Sequence, residues 1–278
     1  LVTALGIKRA ERSVTYNVQK LDESAFAVRQ VNLADNLAGK LAGVQVSSSS
    51  AGIGSETKVV MRGAKSIASS NNALYVLDGI PLPELSMTTP GDSWSIYDGS
   101  RITGDGISNF NPEDFGETSV LVGPSSAALY GYKAANGILM LSTRTAKKGE
   151  VSVSYANNTT FSTPLILPRL QSSYGAKVGS YESWGTKLTT PQQWSIKDFF
   201  QTGYNTQNSI SLSVGGDISS TYISASITDA QGIIPNNKYG RKNFTVHHTA
   251  DFLKDRMHLS LLGMYINVKE QNMTSGGQ

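Results

Sequence analysis

A chain of 278 residues can bury a sizeable core in one large or two ordinary domains. Only 16% of it is charged, against about 25% in ordinary soluble domains, and its 27 glycines exceed the usual share of about 7%, a balance that suits many turns and alternating strands. A net charge of +3 with scattered Lys and Arg carries no nucleic-acid footprint, and the absence of cysteine excludes disulfides and thiolate metal centres. No run approaches the ~18 apolar residues of a transmembrane helix, but a transmembrane β-strand needs only about 9 to 11 alternating residues and stays open.

Residues 1–6 (LVTALG) read as a strand end. With no basic and then apolar leader there, any export signal is expected upstream. Val14, Tyr16 and Val18 alternate with polar residues as a half-buried strand. A helix is expected next, capped by Asn32, with Asp35 near its positive end, Leu33, Leu37 and Leu41 on one face as ordinary core, and Gly43 as terminator. The loop 47–54 contains Gly52-Ile53-Gly54, but Thr57 replaces the third glycine and no strand-to-helix context surrounds it, so a dinucleotide site is rejected. Residues 58–63 (KVVMRG) and 74–81 (LYVLDGIP) are the next strands, each closed by a polar residue, Arg62 and Asp78, expected to act as an ion pair or turn anchors rather than catalysts.

Residues 82–106 form a long Pro-, Gly- and Ser-rich segment with Trp94, Tyr97 and Arg101, which could stack on a sugar ring or grip a peptide, or pack. The oxygen-bearing side chains of Asp105, Asn109, Asn111, Glu113 and Asp114 do not follow EF-hand spacing, and an Asx-turn region is expected there. Then comes the organising stretch, 109–145. A strand over 118–122 stops at Gly123-Pro124, Pro124 opens a short helix ending at Tyr130, Gly131 and Asn136-Gly137 supply turns, and 138–141 leave as a buried strand. Its GPSSAALYG turn is not a phosphate loop, because Gly131 is followed by Tyr132-Lys133-Ala134 instead of Lys-Ser/Thr.

After residue 149 the pattern becomes long alternating strands. Val151, Val153 and Tyr155 oppose Ser152 and Ser154; Ile210, Leu212 and Val214 oppose Ser209, Ser211 and Ser213; Thr221, Ile223, Ala225 and Ile227 oppose Tyr222, Ser224, Ser226 and Thr228. Small hydroxyl residues on the second face suit a wet lumen. Phe244, Val246, Ala250 and Phe252 form a further apolar face, on which His248 is the misfit; His247 and His248 point to opposite faces and cannot pair on a metal. Over 257–268 the apolar phase shifts, which predicts a bulge near Gly263. The connections alternate between long (162–206, holding Tyr174, Tyr181, Trp184 and Trp194; 229–241) and short (215–220, 253–256), as in outer-membrane barrels.

These residues carry a resemblance. Asn111-Pro112-Glu113-Asp114, Val120-Leu121, Gly123-Pro124, Ala127 to Gly131, Ala134 to Gly137 and Thr143 match the pattern that ends the plug domain of SusC-like TonB-dependent outer-membrane transporters. Val122 stands where that family usually has Lys, and Tyr132-Lys133 where it has Ser-Arg. Arg62-Gly63 and Asp78-Gly79 with Pro81 are similar to its IRG and LYVVDGVP signatures, and Leu1 to Gly6 resembles the tail of its TonB box. The resemblance implies an α+β plug domain followed by antiparallel strands of a large transmembrane β-barrel, about 22 strands in the full protein and about five here. It divides the chain into a box-like tail and linker (1–12), the plug (13–148) and the opening of the barrel (149–278).

The resemblance further implies active import of oligosaccharides or peptides across a bacterial outer membrane, with TonB, a SusD-like surface lipoprotein and outer-membrane lipid as partners and a dimer of such pairs as a possible assembly. It implies no enzyme activity, cofactor, metal or nucleic acid. Trp94, Tyr97, Arg101, Trp184 and Trp194 are the ligand-contact candidates and Leu1, Val2 and Thr3 the TonB-contact candidates. Gly123, Pro124, Tyr130, Gly131, Asn136 and Gly137, with Arg62, Gly63, Asp78, Gly79 and Pro81, are structural signature positions. Five strands do not close a barrel whose minimum is about eight, so further strands are expected. Two alternatives stay open: a secreted β-rich glycan- or peptide-binding sandwich, soluble without detergent, and a hydrolase or NTPase built on the Gly-rich turns.

Overall fold

The structure, a computed structural model, describes residues 2–4, 7–9, 18–22, 32–48, 53–54, 57–66, 71–82, 106–122, 124–177, 179–180, 184–191, 193, 195–253 and 256–271. The N-terminal part holds β1 (Val2–Ala4) paired with β2 (Ile7–Arg9), then β3 (Val18–Asp22), β4 (Val44–Ser48), β5 (Thr57–Met61), β6 (Leu74–Leu77), β7 (Ile80–Pro81), β8 (Phe115–Leu121), α1 (Pro124–Tyr130) and β9 (Ile138–Thr143). Five of these strands make a mixed sheet in the order β3-β8-β9-β6-β7, in which only β6 and β9 run parallel.

The uninterrupted apolar run of β9 follows from burial on both faces. Leu139 and Leu141 point to one side, where the β4–β5 pair and the leucines Leu33, Leu37 and Leu41 cover them. Ile138 and Met140 point to the other, against Leu74, Val76 and Leu121 and the α1 residues Leu129 and Tyr130. Gly137 precedes β9 at φ 107°, so the backbone demands glycine, and a Cβ there would also displace Met61 Sδ, 2.4 Å away.

Three sequence expectations change here. The helix over 32–43 is only a 3₁₀ turn, Asp35–Leu37, flanked by turns; Gly39 at φ 73° interrupts it, while the three leucines are buried as expected. Residues 74–81 are a hairpin and not one strand, because Asp78 (φ 47°) and Gly79 (φ 88°) turn the chain back on itself. The strand expected over 118–122 begins earlier, at Phe115, with an irregularity between Phe115 and Glu117.

The second sheet is a meander of β10 (Val151–Ser162), β11 (Gly203–Gly215), β12 (Ser219–Gln231), β13 (Lys238–Phe252) and β14 (Met257–Gln271), each antiparallel to the next. Residues 216–218 join β11 to β12, and the loop expected over 229–241 shrinks to 232–237 because both flanking strands are longer than their apolar cores. The bulge near Gly263 is absent: the β13–β14 ladder runs unbroken from Phe252–Met257 to Lys238–Gln271. The apolar phase changes because β14 is apolar on both faces, and Met264 on its inner face packs against the N-terminal core.

The wall is polar inside and apolar outside. Ile210, Leu212, Val214, Ile227 and Phe244 are exposed, as are Val151, Val153 and Tyr155 on β10. Their alternates Gln207, Ser209, Tyr222, Ser224, Ser226, Thr228, Arg241, Asn243, Thr245 and His247 are buried. The expected wet lumen is therefore corrected: over β11 to β13 this face lies against the N-terminal domain. His248, on the outer face, is paired across strands with Thr221 Oγ1 at 2.9 Å, which satisfies one ring nitrogen.

Candidate functional site at the seam between plug and wall

The seam is built on the NPED turn. Asn111 caps a 3₁₀ turn, Pro112–Asp114, its Oδ1 accepting from the Glu113 N–H at 3.3 Å, and Pro112 fixes the first turn residue. That turn aims the buried Asp114 carboxylate at the wall. Oδ1 accepts from Ser224 Oγ (2.5 Å), Tyr222 OH (3.1 Å) and Asn111 Nδ2 (3.2 Å), while Oδ2 accepts from Thr245 Oγ1 (2.7 Å). Ser224 and Thr245 face each other across the β12–β13 ladder, so one cross-strand pair of hydroxyls grips both oxygens. Asn111 adds β11, accepting from Gln207 Nε2 at 2.9 Å and donating to Ser209 Oγ at 3.3 Å.

Hydrogen bonds to a charged acceptor are about twice as strong as neutral ones, so this turn is a fastening point. The oxygen-rich segment of the sequence is thereby accounted for in its described part: Asn111 and Asp114 hold the seam, and the Asn109 carbonyl accepts from Asn243 Nδ2 at 2.7 Å. Asp105 lies outside the described residues.

A second fastening crosses at the end of β9. Asp78 Oδ1 accepts from the Thr143 N–H (2.9 Å) and Oδ2 from Thr143 Oγ1 (2.6 Å). Having donated its only hydroxyl proton, Thr143 Oγ1 accepts from His247 Nδ1 at 3.0 Å, which makes Nδ1 the donor of that contact. The same Nδ1 lies 3.2 Å from the Arg144 carbonyl, and Nε2 lies 3.0 Å from Ser260 Oγ on β14. A hydrogen-bonded path thus runs from the β6–β7 turn through the plug to the wall.

The signature positions sit at turns. Arg62 (φ 59°) and Gly63 (φ 81°) close β5, with the Arg62 N–H on the Gly43 carbonyl, and Arg62 forms no ion pair with Asp78 among the described residues. Pro81 pairs with Val76 at the sheet edge, Pro124 and Tyr130 bound α1, and Gly131 takes φ 75°. Asn136 precedes Gly137 at the entry to β9, and Gly123 lies outside the described residues. The ligand-contact candidates are not brought together. Trp184, 66% exposed, lies against Tyr174 with ring centroids 5.8 Å apart, whereas Trp94, Tyr97, Arg101 and Trp194 lie outside the described residues. Of the TonB-contact candidates, Val2 and Thr3 pair with Arg9 and Lys8, and Leu1 lies outside the described residues.

Sequence reading missed the seam itself. Its signal was present as polar residues on the inner phase that are too large for a plain lumen lining, Tyr222, Tyr239, Arg241 and His247, facing a turn rich in hydrogen-bonding groups.

Residues 10–138 match the profile of the TonB-dependent Receptor Plug Domain. The TonB-dependent receptor SusC of Bacteroides thetaiotaomicron is 26% identical over 276 residues, which is 97% of this chain and 26% of SusC. The TonB-dependent receptor P26 of Formosa agariphila is 30% identical over 158 residues, 55% of this chain and 14% of its own length. A solved structure of the RagAB peptide transporter shares the fold, with a TM-score of 0.71 at 21% identity over 93% of this chain and 31% of that one. The chain spans about a quarter of the length of SusC. The family consists of outer-membrane transporters and not enzymes. Residues 10–138 thus form a TonB-dependent receptor plug domain, fastened through Asp114 to five antiparallel strands that share the fold of the RagAB transporter, and the chain is similar to SusC along nearly its whole length.

Proposed function

We propose that this chain is the gate and the adjoining wall of a TonB-dependent importer of large nutrients, peptides or oligosaccharides. Residues 13–148 act as the plug, residues 1–12 as the tail that TonB pulls, and residues 149–278 as the start of the barrel. The observation that carries the reading is the chemistry of the seam. A permanent interface would be dry and apolar; this one is made of hydroxyls, amides and a carboxylate, groups that exchange readily with water. Gln207 Oε1, Ser226 Oγ, Thr228 Oγ1 and Asn243 Oδ1 are buried with no protein hydrogen-bond partner among the described residues. Such a seam holds without being as tight as it could be, which suits a gate that must part under load.

The SusC and RagAB relationships favour a SusD-like lipoprotein lid over the end that carries the long connections. Trp184 and Tyr174, on residues 163–202, supply an exposed aromatic pair there for a sugar ring or peptide side chain. A soluble sandwich would cover the apolar outer face with a second sheet, and among the described residues Ile210, Leu212 and Val214 stay bare. The test is a strain whose only copy of the receptor lacks residues 1–6. It is expected to fail on a peptide or oligosaccharide pool as sole nutrient, while labelled pool still binds the cell surface. Normal growth of that strain contradicts the reading.

A further inference from the structure

Besides the Asp114 turn and the Thr143–His247 contact, β13 carries a further fastening of a different kind. Tyr239, Arg241 and Asn243 occupy alternate positions at the start of that strand and share its inner face, and Asn237 precedes them at the end of the 232–237 loop. Together they hold two plug loops more than fifty residues apart in sequence, each time by main-chain atoms. Asn237 Oδ1 accepts from the Ile53 N–H at 3.2 Å. Tyr239 OH donates to the Ser108 carbonyl at 3.3 Å, Arg241 Nη1 donates to the same carbonyl, and Asn243 Nδ2 donates to the Asn109 carbonyl at 2.7 Å.

Shape adds to this. Gly54 sits at φ 80° against the buried Tyr239 ring, and a Cβ there would fall 2.1 Å from Cδ2, 2.4 Å from Cε2 and 2.8 Å from Cγ. The ring cannot swing away cheaply, because its hydroxyl is tied to Ser108 and those atoms lie near its root. Asn237 is fixed in turn: its Nδ2 donates to the Gln271 carbonyl at 3.2 Å, its own carbonyl accepts from the Gly232 N–H at 3.0 Å, and a Cβ at Gly232 would meet its side chain at 2.2 Å. The β12–β13 loop is therefore part of the fixture.

We infer that these four residues form a rack that keeps the outer rim of the plug closed, with Gly54 seated on Tyr239 as its key. This rests on the reading of the N-terminal domain as a gate. The rack grips the two loops by main-chain groups and, at Gly54, by the absence of a side chain. The Asp114 turn instead fastens the plug through side chains on both partners. A gate with two fastenings of separate chemistry can loosen at the rim while staying anchored at the turn.

The test uses the full-length receptor in its own outer membrane. Assembly is checked by the heat-dependent gel mobility of the barrel, and passive leak by susceptibility to a large antibiotic such as vancomycin. Gly54→Ala is expected to assemble normally and to raise susceptibility several-fold. Tyr239→Ser alone is expected to raise it less. The double variant, with room for the new methyl but with alanine still strained at φ 80°, should fall between Tyr239→Ser and Gly54→Ala and not exceed the latter. Asn237→Ala reaches the same loop without a clash and should also leak. Parental susceptibility in both Gly54→Ala and Asn237→Ala overturns the rack, as does a double variant that leaks more than either single change. Uptake of the nutrient pool by the unaltered receptor is measured in parallel with and without a proton-gradient uncoupler. Gradient-independent uptake overturns the gate reading on which the rack depends, and that outcome is distinct from a sealed Gly54→Ala.

Discussion

The two five-stranded sheets of the described residues solve opposite problems. The plug sheet hides Leu139 and Leu141 on one face and Ile138 and Met140 on the other, the arrangement of a domain whose surroundings are polar. The wall sheet reverses it, burying Gln207, Ser224, Thr245 and His247 and leaving Ile210, Leu212 and Phe244 bare. A sheet can be stable with its apolar face outward only if its outer solvent is apolar, and it can bury its polar face only if something polar fills the inside. The plug supplies the second condition through the Asp114 turn, and on the proposed reading lipid supplies the first.

This contrast can be broken from either side. The largest effect is expected at the seam: Asp114→Leu leaves Tyr222, Ser224 and Thr245 hydroxyls without their acceptor. At about 1–3 kcal/mol for each of these groups, docking should weaken by about 3–9 kcal/mol. Trypsin protection of the plug in the assembled receptor, followed against urea, should show it; an unchanged midpoint would mean that the turn is not a fastening. Next comes the outer face. Ile210→Arg should cost about 2–4 kcal/mol in barrel stability if that position lies deep in lipid, but within about 0.5 kcal/mol if it lies on a soluble surface. Heat-dependent gel mobility separates the two.

A smaller change is expected from Thr143→Val, which removes the hydroxyl shared by Asp78 and His247 while leaving the backbone bond to Asp78. The loss should be about 1–3 kcal/mol, seen as a lower melting temperature of the plug with the barrel unaffected. Smallest is Trp184→Ala, at an exposed ring, which should alter stability by less than about 0.5 kcal/mol yet reduce capture of labelled nutrient at the cell surface. Full capture with lowered stability would make Trp184 a packing residue.

Much of the wall was legible because a period of two needs no partner to be seen: Ile210, Leu212 and Val214 against Ser209, Ser211 and Ser213 announce one strand and its two faces. What fills the inner side was not legible, because a Ser row looks the same against water as against a plug. The Asp78-Gly79 turn could have been read from the chain, since Asp-Gly between apolar pairs is a strong hairpin signal, but the apolar run on both sides suggested a single strand. The leucine spacing at 33, 37 and 41 did report burial and misreported conformation, since a 3₁₀ turn with loose flanks places the same side chains on one core. At Gly263 the phase shift was real, but its cause was a second apolar face and not an extra residue. Asp114 was visible only as part of a polar string; its role depends on hydroxyls more than a hundred residues away.

The claim on which the account stands is that the wall has lipid on one side and plug on the other. It is tested most directly by nitroxide labels on single cysteines at Ser209, Ile210, Ser211 and Leu212 in the full-length receptor reconstituted in a bilayer, with collision rates measured for oxygen, which concentrates in lipid, and for a water-soluble nickel chelate. The account predicts high oxygen collision at positions 210 and 212, low collision with both reagents at 209, where the plug covers the strand, and a period of two across the four sites. Low oxygen collision at 210 and 212, or an alternation of the opposite phase, would contradict it.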